Sequence, residues 1–322
     1  MKAAVYYETG PPSVFRYEEP PDPSCGSSAV LIEVQAISIE GGDVLNRAGG
    51  EMPSSPHIVG YQCAGSIREI GADVSDRQVG QAVVTIMPFG SHASLVTVPA
   101  GQTWLVPDGM DIRQAACVPI AFGTAHDCLF EFGHLEAGET VLIQAGAGGV
   151  GLAAIQLAKR HGATVLATAS SDERLERLKE FGLDHGINYR TGDFVPRVRE
   201  LTDGKGVNLV VDSVGTTLAG SIECTAYRGR IAHVGNAGRP DSASVDTSKL
   251  SEQNRSLTGV FFGAEAVIQP QRVRPLVDRL LSEVASGELR VVIDSEYPLS
   301  EAAAAHEHIE SRQAFGRVIL TP

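Results

Sequence analysis

Three glycines, Gly146, Gly148 and Gly151, stand at the G-x-G-x-x-G spacing, with Gly149 and Val150 completing the run. Glycines so spaced can cradle a dinucleotide pyrophosphate. The first permits a tight turn, the second lets the backbone approach the phosphates, and the third lets a helix pack closely on its strand. The helix behind them offers free N–H groups and the positive end of its dipole. Alone, the spacing also describes a glycine-rich surface turn. The neighbours favour the first reading: Val141, Leu142 and Ile143 form an apolar run before it, and an alanine-rich helical pattern covers 152–161 after it.

Beyond the loop, NAD-specific sites place an acid about 20 residues past the first glycine, where it binds the ribose 2′-hydroxyl. Here the chain reads Leu166-Ala167-Thr168-Ala169-Ser170-Ser171, with no acid before Asp172. Ser170 together with Arg174 suits a 2′-phosphate, which favours NADPH over NADH. Ser170 has a second reading as an N-cap with Glu173 at N3 in a capping box, and Arg174 a second reading as a solvated helix residue. A strand over 207–212 ends on Asp212 at the cofactor crevice, with Val214 and Gly215 lining it. Gly235 and Asn236 follow the next strand, 230–235, on the nicotinamide side.

The elements that must hold these residues are of two textures. Strand patterns at 30–34, 83–87 and 93–98, separated by Gly, Pro and Asp clusters, read as an all-β or partly open barrel domain. From about Ile112, helices and strands alternate, as βαβ units with a parallel sheet do. They include strands 164–168, 207–212 and 230–235 and a helix over 172–181. A long helix over 273–285 follows, then strands 290–293 and 317–321 around a helix over 301–311. The fold class is therefore α/β, and the late position of the glycine loop means that another domain is folded in front of it.

Composition sets outer limits. The 322 residues are 43% hydrophobic and 20% charged, with a net charge of −13. Nucleic acid and anionic membrane need basic surface, so neither is expected as partner. The 5 cysteines are scattered without a C-x-x-C pair, which points to a reducing compartment, the cytoplasm, and to no structural zinc. Residues 1–8 read as a strand rather than a signal peptide.

An ordered set of short motifs runs through the chain. Met1-Lys2-Ala3 opens it; Asp43, Arg47 and Gly49 follow, then Pro56-x-x-x-Gly60 with Ala64-Gly65. Gly123-Thr124-Ala125, Gly138-Glu139-Thr140, Gln156-Leu157-Ala158-Lys159, Asp212-Ser213-Val214-Gly215 and Gly316-Arg317-Val318 come later. Taken together, the chain resembles the medium-chain dehydrogenase/reductase superfamily, in its zinc-independent quinone oxidoreductase (zeta-crystallin-like) branch. The resemblance implies a Rossmann domain inserted into a GroES-like catalytic domain: 1–120 as the first part of the catalytic domain, 121–262 as the Rossmann domain and 263–322 as the return. It also implies a homodimer joined through the Rossmann sheet edge.

The resemblance also assigns residues. The positions of the superfamily's catalytic zinc ligands hold Glu40, Tyr61 and Ile120, so no metal is expected. Isolated His57 and His92 read as solvent-facing or satisfied loop residues. Tyr61 and Glu40 are the candidate catalytic residues. Tyr61 is either a donor to a substrate carbonyl or an aromatic wall. Glu40 replaces a ribose-contacting Asn and either accepts that hydroxyl, takes part in proton transfer, or pairs with Arg47. Asp43, Thr124 and Tyr189 fall at cofactor positions, Tyr189 at the adenosine phosphate. Asp43 has a bracing role as its second reading, and Thr124 a helix N-terminal one. Phe261 and Phe262 read as a buried aromatic pair or as pocket wall.

Without a Lewis acid, hydride transfer favours acceptors that are already electrophilic. The function expected is NADPH-dependent reduction of a small-molecule quinone or α,β-unsaturated carbonyl (enone). The alternatives are an enoyl-thioester reductase and a non-catalytic NADPH-binding structural or sensor protein.

Overall fold

The computed structural model describes residues 1–238 and 245–322. The chain divides into two compact units, one of residues 1–123 with 263–322 and one of 124–262.

The first unit opens with a short antiparallel ribbon, β1 (Ala3–Val5) and β2 (Arg16–Glu18). Its main strands are β3 (Ala29–Ser38), β4 (Gln62–Ile70), β5 (Ala82–Ile86), β6 (Leu95–Pro99) and β7 (Thr103–Leu105). Helix α1 (Gly41–Gly49) fills the connection from β3 to β4, and α2 (Ile112–Ala115) and α3 (Val118–His126) follow β7. The strands pair antiparallel, β3 with both β4 and β6, then β4 with β5 and β5 with β7.

The second unit alternates strand and helix: β8 (Thr140–Ile143), α4 (Gly149–Arg160), β9 (Thr164–Ala169), α5 (Asp172–Lys179), β10 (His185–Asn188) and α6 (Phe194–Leu201). It continues with β11 (Val207–Asp212), α7 (Leu218–Glu223), β12 (Thr225–His233), α8 (Ser248–Ser251) and β13 (Ser256–Gly259). All six strands are parallel, in the order β10-β9-β8-β11-β12-β13. The apolar runs of the central strands β8, β9 and β11 are buried on both faces, as parallel sheets require. The order reverses between β8 and β11, and ligands bind at the carboxyl ends of strands beside such a switch point.

The chain then runs through α9 (Phe262–Ile268), α10 (Pro270–Ala285), β14 (Ile293–Pro298), α11 (Ala302–Glu310) and β15 (Arg317–Thr321). β15 pairs antiparallel with β3, and β14 lies parallel outside it. The C-terminal strands thus complete the first sheet. Leu299, Ala305, Val318 and Leu320 pack in one core with Val30, Ile32 and Ile37. The strand expected at 290–293 begins only at Ile293. Its Asp-Ser-Glu sequence has little strand propensity, and pairing with β15 rather than local preference sets its register.

Candidate active site

In the second unit, the glycine loop joins β8 to α4. The left-handed turn residue is Ala145, at φ 54, and not Gly146. What requires Gly146 to lack a side chain is crowding: a Cβ would lie 2.9 Å from Ala167 Cβ and 3.1 Å from Leu178 Cδ1. At Gly151 a Cβ would lie 2.4 Å from Ala145 O and 2.7 Å from Gly146 Cα, so helix and loop touch backbone to backbone. Gly148 is exposed and N-caps α4, and a Cβ there would meet only Ala145 O, at 3.4 Å. Crowded first and third glycines with an open second one fit a cradle that a pyrophosphate fills. Gly149 and Val150 form the first turn of α4, whose N–H groups face that opening.

This division of labour separates two substitutions. Gly151→Ala is expected to lower stability by about 1–3 kcal/mol through overpacking and to weaken NADPH binding. Gly148→Ala is expected to weaken NADPH binding with a smaller loss of stability, that of a poorer N-cap alone. Fluorescence titration with urea denaturation checks both, and equal stability losses would contradict the assignment.

A buried polar chain holds the loop. Ala145 N donates to Thr168 Oγ1 (3.1 Å), Thr168 Oγ1 to Gln144 Oε1 (2.8 Å), and Gln144 Nε2 to Ser221 Oγ (3.2 Å). Ser221 Oγ in turn donates to Asp212 Oδ2 at 2.7 Å. Asp212 also accepts from Val214 N, Gly215 N and Thr217 Oγ1, so its carboxylate is fully used in shaping the loop after β11. Asn236 lies against Gly215, where a Cβ would meet Asn236 Oδ1 at 2.4 Å. Sequence reasoning missed Gln144 and Thr168; a glutamine and a threonine at two adjacent strand ends are the signal that was available.

Ser170 follows β9 and Tyr189 follows β10, so both stand at the carboxyl edge that carries the glycine loop. Tyr189 is 45% exposed. The capping box expected at Ser170 and Glu173 is displaced by one residue: the N-cap is Ser171, whose Oγ accepts from Arg174 N at 3.3 Å. Ser170 is thus not the cap of α5.

In the first unit, Glu40, Asp43 and Tyr61 come together around α1. Glu40 is buried and does not pair with Arg47. Its Oε1 accepts from the guanidinium of Arg317 on β15, from Gln62 Nε2 and, at 3.5 Å, from Ser38 Oγ. Burial pushes its pKa up, while Arg317, Gln62 and Ser38 pull it back, and three donors on one oxygen hold it as a carboxylate. Arg317 also bonds Ser38 Oγ and Ile39 O. Gln62 Oε1 accepts from Ile120 N at 3.0 Å, which ties the start of α3 to the same cluster. Arg47 instead pairs with Glu310 and donates to Gly10 O.

Asp43 is fully buried, and its Oδ2 accepts from Glu40 N at 2.8 Å, closing the first turn of α1. Burial raises its pKa well above the carboxylate range, helped by the Glu40 charge and opposed by the N–H groups of Glu40 and Tyr61. Tyr61 lies across α1, and its Oη accepts from Asn46 Nδ2 at 2.8 Å. Burial, with Asp43 adding to it, pushes the phenol up to about 12. It stays protonated at physiological pH.

Three further readings are narrowed. His57 and His92 are buried, so of their two readings the satisfied one holds and the solvent-facing one falls: His57 Nδ1 lies 3.4 Å from Ser54 Oγ and His92 Nε2 3.1 Å from His306 Nε2. Phe261 is 71% exposed and Phe262 is 2% exposed, so the two are not a buried pair. Thr124 is buried in the C-terminal half of α3, not at a helix N-terminus. Arg317 and Gln62, which hold Glu40, went unassigned in the sequence. Among the described residues, no three His, Cys, Asp or Glu side chains converge to hold a metal ion.

A parallel sheet with a glycine loop open at Gly148, and an antiparallel sheet completed by the C-terminal strands, define a nicotinamide-dependent dehydrogenase or reductase of split-domain architecture. Residues 26–108 match the alcohol dehydrogenase GroES-like domain, and residues 149–283 match the zinc-binding dehydrogenase domain. The chain is 34% identical to 2-haloacrylate reductase from Burkholderia sp, over 100% of this chain and 99% of that protein. It is 32% identical to quinone oxidoreductase from Pseudomonas aeruginosa, over 97% of each. Escherichia coli quinone oxidoreductase, crystallised with NADPH, superposes with a TM-score of 0.95 at 29% identity over 100% of both chains. The chain belongs to the medium-chain dehydrogenase/reductase superfamily, in its quinone oxidoreductase branch.

Proposed function

We propose that this protein is a zinc-independent, NADPH-dependent reductase that transfers hydride to a quinone or an α,β-unsaturated carbonyl. The observation that carries the metal-free reading is the occupancy of Glu40. Glu40, Tyr61 and Ile120 stand where zinc-dependent members carry their ligands. Glu40 Oε1 is bound by the Arg317 cation, the Tyr61 phenol is protonated, and Ile120 offers only alkyl. This donor set does not fit zinc, which takes thiolate, imidazole or free carboxylate. The acceptor must then bring its own electrophilic carbon, as quinones and enones do.

Bound NADPH would supply the hydride. Its pyrophosphate fits the cradle of Gly146, Gly148 and Gly151, over the first turn formed by Gly149 and Val150. Ser170, Arg174 and Tyr189 stand at the edge where the 2′-phosphate would lie. Val214, Gly235 and Asn236 follow the next two strand ends toward the nicotinamide, and Thr124 is assigned to the ribose. Asp43 braces the loop rather than touching cofactor, and Glu40 anchors it rather than moving protons. Tyr61 donates to the acceptor oxygen: its O–H finds no acceptor among the described residues, which favours the donor over the wall.

All five cysteines are free, which supports a cytoplasmic setting. No helix among the described residues is long and apolar enough to cross a membrane. Strand β13 ends the parallel sheet beside exposed Phe261, an edge suited to a homodimer.

A turnover screen with NADPH and NADH against quinones, enones and enoyl thioesters tests the function. Oxidation dependent on a quinone or enone supports it, and oxidation by enoyl thioesters alone reassigns the acceptor. Arg174→Ala should weaken NADPH roughly tenfold or more, the worth of a charged hydrogen bond, and leave NADH unchanged. Equal losses for the two cofactors would remove Arg174 from the phosphate site.

A further inference from the structure

Helix α1 carries a slot for the Tyr61 ring. A Cβ on Gly42 would lie 2.3 Å from Tyr61 Cε2 and 2.9 Å from its Oη, so the ring rests directly on the helix backbone there. One turn further on the same face, Asn46 reaches the phenol oxygen with its amide nitrogen at 2.8 Å. The amide oxygen faces the other way: a Cβ at Gly50, the C-cap of α1, would lie 2.8 Å from Asn46 Oδ1. Gly42 and Asn46 therefore fix both the plane and the hydroxyl of Tyr61.

We propose that Asn46 is a positioning residue for the reaction, donating its amide to Tyr61 Oη so that the phenol's own proton is directed to the acceptor oxygen. This rests on the reading of Tyr61 as donor. An amide at the phenol oxygen occupies an acceptor lone pair and leaves the O–H to be given away. Of the influences on the phenol, the Asn46 hydrogen bond works against burial and lowers its pKa, because it stabilises the charge that develops on Oη as the proton leaves. In the balanced step, the acceptor takes two electrons and one hydrogen as hydride at its conjugated carbon, and its oxygen takes one proton from Tyr61. The phenolate left behind recovers a proton from water.

The test is a double-mutant cycle with NADPH and a quinone or enone. Tyr61→Phe is expected to lower kcat by roughly 10²-fold, the lower range for general acid catalysis. Asn46→Ala is expected to lower it roughly tenfold, the worth of one hydrogen bond to a developing charge, with the Kd for NADPH unchanged. In the Tyr61→Phe background Asn46→Ala should have no further effect, because the hydroxyl it serves is gone. Asn46→Asp should lose at least as much as Asn46→Ala, since its carboxylate accepts the phenol's proton. Alanine favours the helix, so loss of α1 does not confound the alanine variant. Wild-type turnover in Tyr61→Phe would overturn the donor reading and this proposal with it. A slow Tyr61→Phe with a full-rate Asn46→Ala, or Asn46→Ala losses equal in both backgrounds, would overturn the role of Asn46 alone.

Discussion

Arg317→Ala is expected to destabilise the 1–123/263–322 unit by roughly 3–5 kcal/mol, the cost of leaving a buried charge without its partner. Arg317 is 8% exposed and Glu40 5%. Removing the guanidinium leaves the buried Glu40 carboxylate without a cation, facing the neutral donors Gln62 and Ser38, and also frees Ser38 Oγ and Ile39 O. The contact closes a separation of 277 residues, so its loss unpins the C-terminal strand from the loop that leads into α1. The double variant Arg317→Met/Glu40→Gln should recover most of the loss, because replacing both members of a buried pair by neutral groups is often close to neutral. Urea denaturation of the two variants checks this. A loss below about 1 kcal/mol for Arg317→Ala would show that the pair contributes no more than a surface pair does.

Acid should destabilise the same unit through His92 and His306. Their Nε2 atoms lie 3.1 Å apart inside an aromatic box where Phe15 stacks on His92 and meets His306 edge-on. Such a contact needs one ring to donate and the other to accept, so both cannot be charged. Burial lowers His92 from 6.5 to about 3. Burial, the neighbouring His92 and the Arg47 cation lower His306 in the same direction. A folded pKa below the unfolded value means that the unfolded chain binds more protons in acid. The stability is therefore fully present above pH 6.5 and is lost as pH falls below it. At pH 5, His92 alone accounts for about 2 kcal/mol, with His306 adding to it. The fall in urea midpoint from pH 6.5 to 5 should be clearly shallower in His306→Gln than in the wild type. An unchanged slope would show that the pair does not titrate on unfolding.

What the sequence made legible was local. The glycine loop, its strand and its helix are contiguous, so spacing alone located them. Even there the roles were only partly legible: Ala145 takes the strained turn, and Gly146 is needed because Ala167 and Leu178 crowd it. With two adjacent serines, spacing placed the cap on Ser170 where the fold uses Ser171. The edge strands β10 and β13, with sequences His-Gly-Ile-Asn and Ser-Leu-Thr-Gly, carry little strand propensity of their own, and parallel pairing with β9 and β12 makes them strands. The Glu40 cluster was least legible. The family resemblance put Glu40 and Tyr61 at ligand positions, but Arg317 comes from the far end of the chain. Only the return of β15 beside β3 brings the cation to the carboxylate.

The proposed metal-free chemistry rests on that cation, because Arg317 binds the Glu40 oxygen that a metal would need. The most direct measurement is acceptor-dependent NADPH oxidation by enzyme dialysed exhaustively against a zinc chelator, with a quinone or enone as acceptor. The full rate of the untreated enzyme, with no stimulation by added zinc, is the expected result. A loss of activity restored by zinc would contradict the metal-free site, and no oxidation by the untreated enzyme with any quinone or enone would contradict the reductase.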